Sequence, residues 1–121
     1  MSVSTNAILG YGITFEEGEE PWKLEGFTSE YDIPESWMRS KLGEKADSCP
    51  LTIEWHCSAD YPMYAILVKE SISKAYRGFP CEVGLPDETT LQDWEVTLQE
   101  WLKKLGISAH PGQFWLMSYW G

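Results

Sequence analysis

An α+β fold, with an antiparallel-dominated sheet of four to five strands and one long amphipathic helix over about 88–105 packed on one face, follows from three stretches of the sequence. Leu51–Ser58 alternates, with Leu51, Ile53, Trp55 and Cys57 on one side and Thr52, Glu54, His56 and Ser58 on the other, which is the period of a half-buried strand. A turn-forming Ser58-Ala59-Asp60-Tyr61-Pro62 break leads to Met63–Val68, apolar without alternation, as a strand covered on both faces would be. Leu91, Trp94, Leu98, Trp101, Leu102 and Leu105 repeat at three and four and draw one apolar stripe along a helix. The aromatic end Gln113–Trp120 is apolar at both alternating sets and belongs inside the sheet, paired in the core or covered by another subunit.

Taken in order, Asn6–Phe15 reads as the first strand. Gly10 and Gly12 share one face, which predicts a bulge or the close approach of another backbone. A phosphate-cradling loop is excluded, because no third glycine and helix follow and acidic residues come next. Residues 16–50 look irregular, pinned to the core by Trp22, Leu24 and Phe27. A short helix is expected over Pro34–Leu42, with Pro34 in its first turn, Trp37, Met38 and Leu42 on one stripe, and Gly43 at its end. Within Ser71–Val83, Lys74–Val83 can supply an edge strand interrupted at Gly78 and Pro80, with room for a short turn or helix before it. The long helix has two capping registers, Asp87 with Thr90 or Thr90 with Asp93, acids at its start, Lys103 and Lys104 at its end, and Gly106 as its left-handed stop.

The chain has 121 residues, which predicts a single domain (1–121) with a core of its own. Its net charge of −10 argues against direct nucleic-acid binding and against anionic membranes. Residues 1–48 carry ten acids against four bases, with a peak at Glu16-Glu17-Gly18-Glu19-Glu20. Such a run is either a solvated loop or an acidic surface that docks on a basic partner. No apolar run is long enough to span a bilayer, no secretory signal is expected, and Cys49, Cys57 and Cys81 are expected to be free thiols in a reducing cytoplasm.

The motifs NAILGYG near the start, HCSADYPMY and YRG in the middle, and WLMSYWG at the end resemble a group of small uncharacterised proteins encoded by tailed bacteriophages. The resemblance covers most of the chain and thins out from Glu16 to Cys49. It implies expression in a bacterial host cytoplasm and supplies no catalytic residues.

No catalytic residue, cofactor or metal is assigned. Cys57 and His56 are neighbours in a strand and should leave opposite faces, so they do not make a nucleophile pair without a bulge. Cys49, His56, Cys81 and His110 suit zinc by type, but their spacings lack the short pairs of structural sites. Arg77 in Tyr76-Arg77-Gly78 suits a carboxylate or phosphate, against the plainer reading of an internal ion pair. His56, Asp60 and Arg77 therefore form a polar site to be looked for. Trp55, Trp94, Trp101 and Trp115 fall on expected core faces, which leaves Trp22 and Trp37 as partner-binding anchors beside Glu16, Glu17, Glu19 and Glu20. The leading expectation is a phage-encoded non-enzymatic accessory protein that binds and inhibits a host protein, one of host defence or nucleic-acid processing. A structural protein that forms homo-oligomers through its C-terminal strand and a small enzyme using His56, Asp60 and Arg77 are the alternatives.

Overall fold

The computed structural model describes residues 5–16, 18–26, 33–58, 62–108 and 110–120. The elements run β1 (Thr5–Thr14), α1 (Pro21–Leu24), α2 (Ile33–Leu42), β2 (Leu51–Ser58), β3 (Pro62–Val68), β4 (Ser73–Tyr76), α3 (Glu88–Lys104) and β5 (Gln113–Trp120), with 3-10 turns at Gly43–Ser48 and Lys69–Ser71. The fold is mixed α+β, a mostly antiparallel five-stranded sheet in the order β3-β2-β5-β1-β4 with one long helix.

The sheet is not open. β1 pairs with β5 over Thr5–Gly12, and its other edge is shared between β4 at Asn6–Leu9 and β3 at Gly12–Thr14. β3 pairs with β2, and β2 returns to β5 through a two-pair parallel seam, Cys57 with Tyr119 and Ser58 with Trp120. The pairings β1–β5–β2–β3–β1 thus close a ring, with β4 as an appendage. Where β1 changes partner, the Tyr11 amide would lack an acceptor. Ser71 supplies it, accepting from Tyr11 N at 2.8 Å while donating to the Val68 carbonyl at 2.6 Å.

Closing so few strands demands sharp curvature, and the two glycines provide it. A Cβ on Gly10 would lie 2.8 Å from Leu67 Cδ1, and one on Gly12 would sit against the Ile66–Leu67 backbone itself. The close backbone approach expected from the bare face of β1 is what the structure shows.

The registers place Ile8, Ala65, Leu67 and Met117 together on the inner face, where they form a small core, with Ile72 and Trp115 packed against it. The outer face carries the main core: Tyr11, Ile13, Leu51, Ile66 and Val68 meet Trp94, Leu98, Leu102 and Leu105 of α3 and its C-terminal turn, and Trp22 and Trp37 of α1 and α2. α3 is capped by Asp87, which accepts from Thr90 N at 2.7 Å, so the first of the two registers is the one used; Gly106 at φ +78 stops it. Glu95 fastens it to the sheet, accepting from the Tyr11 hydroxyl at 2.5 Å and from the Gly112 amide at 3.0 Å.

Four expectations fail, the first being Leu24, expected to pin its stretch to the core but 72% exposed. Trp55 is not in the core but 46% exposed, its ring tilted against that of Tyr119 with centroids 5.1 Å apart, because among the described residues no helix covers the end of β2. β5 does lie within the sheet, yet Phe114 and Leu116 face outward and are exposed, since α3 reaches only part of that face. Within 16–50, taken as irregular, Pro21–Leu24 makes a helical turn that delivers Trp22 to the core.

Candidate functional site

The residues nominated for partner binding separate. Glu16 and Glu19 are exposed in a turn closed by the Glu19 amide on the Glu16 carbonyl, with Gly18 at φ +83. Glu17 lies outside the described residues. Glu20 is no surface acid: it is 3% exposed at the head of α1, its Oε1 3.5 Å from Lys23 Nζ. Trp22 and Trp37, each 1% exposed, are not interface anchors either. Trp22 is boxed edge-on by Phe15, Trp37 and Tyr64 at 5.8, 5.6 and 5.0 Å, and Trp37 Nε1 donates to Glu25. Aromatic groups isolated in a polar stretch were here the residues that tie that stretch down, because burying an indole outweighs the helix propensity of its neighbours.

His56 and Arg77 of the polar trio are held apart. Asp60 lies outside the described residues, and Arg77 is exposed in the turn after β4. The row Tyr76–Asn6–Tyr119–Cys57 across β4, β1, β5 and β2 puts that turn three strand spacings from the end of β2, roughly 14 Å along the sheet. The zinc set is equally scattered: Cys49 is buried in the main core with its thiol pKa pushed up by burial, while Cys81 and His110 are exposed. Among the described residues no three His, Cys, Asp or Glu side chains gather as a metal site.

His56 and Cys57 depart from the expectation that they face apart. Cys57 takes φ +78, the left-handed region that non-glycine residues adopt at a cost of about 1–2 kcal/mol. The regular alternation of β2 ends there, and both residues border one hollow of about 430 Å³ with Thr14, Phe15, Met63 and Trp115–Ser118. His56 Nε2 is buried without a hydrogen-bond partner among the described residues, and burial holds its pKa below the usual histidine range. The hollow is the mouth of the ring beside the seam. No sequence pattern signals it, since a left-handed cysteine has no signature.

A second concavity, of about 640 Å³, runs between α2 and β2. Pro34, Glu35, Met38 and Arg39 form one wall; Leu51, Thr52, Ile53 and Trp55 form the other. Tyr64, the β3 partner of Trp55, also lines the groove, and Thr52 joins Leu51, Ile53 and Trp55 from β2. The edge of β2 away from β3 is open: β2 meets β5 only at Cys57 and Ser58, and among the described residues Leu51–His56 have no ladder partner on that side. The groove adds Lys69 at its rim.

No protein family, no curated protein and no solved structure matches this chain. No helix among the described residues is long and apolar enough to cross a membrane.

Proposed function

We propose that the chain is a non-enzymatic binding protein of a tailed phage that takes an extended segment of a host protein against the open edge of β2 and so blocks that segment. The observation that carries this reading is the run Leu51–His56, unpaired among the described residues, beside a groove of mixed polarity that includes a half-exposed tryptophan. Unpaired strand amides and carbonyls are a template for strand addition, and alternate side chains of the added segment would enter the groove between α2 and β2. Trp55 has the size and amphipathic character of a binding anchor, the role first expected of Trp22 and Trp37. The phage and host elements rest on the resemblance of the terminal motifs alone.

The test is capture from host lysate by wild type and Trp55→Lys, followed by hydrogen exchange on the captured complex. Slowed exchange at Leu51–His56 and loss of capture by the variant support the reading. Capture that survives Trp55→Lys and protects other amides overturns it. If charge reversal at Glu16 and Glu19 alone abolishes capture, the acidic turn is the docking surface instead. Self-assembly through β5 is the second reading, favoured by the exposed Leu116 and by the edge of β5 left open before the seam. Sedimentation showing a strict monomer across micromolar concentrations would remove it.

A further inference from the structure

The hollow at the mouth of the ring has a lining whose chemistry the binding reading leaves unused. Four of its residues bear soft or borderline donors: the imidazole of His56, the thiol of Cys57 and the thioethers of Met63 and Met117. Their convergence follows from the strand registers. His56 and Met63 are direct cross-strand partners, so their side chains share the inner face. Met117 pairs with Ile8 across β1 and β5 and belongs to the same inner face, within the small core. Cys57 would point away in a regular strand, but its left-handed backbone breaks that alternation where the residue borders the hollow.

We propose that His56, Cys57, Met63 and Met117 form a site for Cu(I) at the mouth of the ring. Thiolate and thioether sulfur select Cu(I) over harder cations, and imidazole suits copper as well. Among the described residues no carboxylate lines the hollow, whereas calcium and magnesium call for charged oxygen ligands. The buried Nε2 of His56, which has no hydrogen-bond partner among the described residues, gains one in the metal. Binding exchanges the Cys57 S–H proton, released to water, for an S–Cu(I) bond; copper stays in the +1 state throughout.

The experiment is an anaerobic titration of the full chain with Cu(I) held by the chromophoric competitor bicinchoninate, with X-ray absorption on the product. One Cu(I) per chain, with sulfur and nitrogen neighbours, is the expected result. Met63→Leu and Met117→Leu keep the side-chain volume and so keep the fold. Each should lower the affinity at least about tenfold, since losing even an outer-sphere group costs 10–100-fold. Cys57→Ser should abolish uptake, and Cys81→Ser, in the exposed loop, should leave it unchanged. Failure to draw Cu(I) from the competitor overturns the proposal. So does uptake that the methionine variants retain in full, or that Cys81→Ser removes.

Discussion

Gly12→Ala is the sharpest test of ring closure. In an open strand, alanine would be favoured over glycine by about 0.5–1 kcal/mol, because glycine loses more backbone freedom on folding. Here the added methyl would lie 2.9 Å from both the Ile66 carbonyl carbon and the Leu67 Cα, with the Ile66 oxygen closer still. These are backbone atoms and cannot rotate away. Relief requires β1 and β3 to part where Gly12, Ile13 and Thr14 pair with Leu67, Ile66 and Ala65. Overpacking of this kind costs about 1–3 kcal/mol, and each stretched ladder hydrogen bond about 1 more. After the intrinsic gain is subtracted, a net loss of roughly 2–4 kcal/mol remains. For a chain of this length that lowers Tm by roughly 10 °C. Gly10→Ala is the internal control, because its new methyl meets only the Leu67 side chain, which has rotamer freedom. Urea unfolding followed by circular dichroism reads both. A Gly12→Ala variant as stable as wild type, or a Gly10→Ala variant that loses as much, refutes the closed ring.

Three further outcomes follow from burial and hydrogen bonding. The Tyr11 pKa is pushed up to about 12, by burial first and then by the Glu95 carboxylate that accepts its proton. The folded chain therefore holds that proton more tightly than the unfolded one, and the stability it confers is whole below about pH 10 and lost between about 10 and 12. Comparing pH-dependent urea midpoints with those of Tyr11→Phe should show this step missing from the variant; identical profiles would contradict it. His56 behaves in the opposite sense: burial lowers its pKa, so its contribution is present above about pH 6.5 and declines as the pH falls toward the folded value. His56→Phe should flatten that decline in acid-unfolding curves. Trp22→Ala should cost about 3–5 kcal/mol in the same urea assay, as a fully buried indole does, whereas an anchor on the surface would cost under about 0.5.

What could be read from the chain, and what could not, divides along a physical line. α3 was legible in full, since its stripe, cap and stop are all local signals, and Gly10 and Gly12 announced a close approach because they share a face with nothing else to fill it. The ring itself was not legible. Its seam joins Cys57–Ser58 to Tyr119–Trp120, some sixty residues apart, through two backbone pairs that leave no periodicity. The hollow beside it depends on one positive φ at a cysteine, a choice made by tertiary closure against local preference. Trp55, placed inward by the alternation of β2, is half exposed, while Trp22 and Trp37, nominated as partner anchors, are buried, Trp22 in keeping with the expectation that it pins its stretch to the core. An indole buries more surface than its neighbours expose, so long-range packing rather than local composition decides where it goes.

Cys57 itself allows the roles of seam and site to be separated. If the left-handed turn at the end of β2 served only to bring the strand to β5, a cysteine would be a poor choice there. Asparagine reaches that backbone region more readily than other non-glycine residues and does not carry glycine's entropy cost. Cys57→Asn should therefore fold with stability equal to wild type or up to about 1 kcal/mol higher, as read from urea midpoints. The same variant removes the one sulfur donor that can bind as an anion, and so should fail to draw Cu(I) from bicinchoninate. Gain in stability together with loss of metal would mean that the chain tolerates backbone strain in order to keep a thiol in the hollow. A loss of more than about 1 kcal/mol would instead make the thiol a packing group that holds the seam shut.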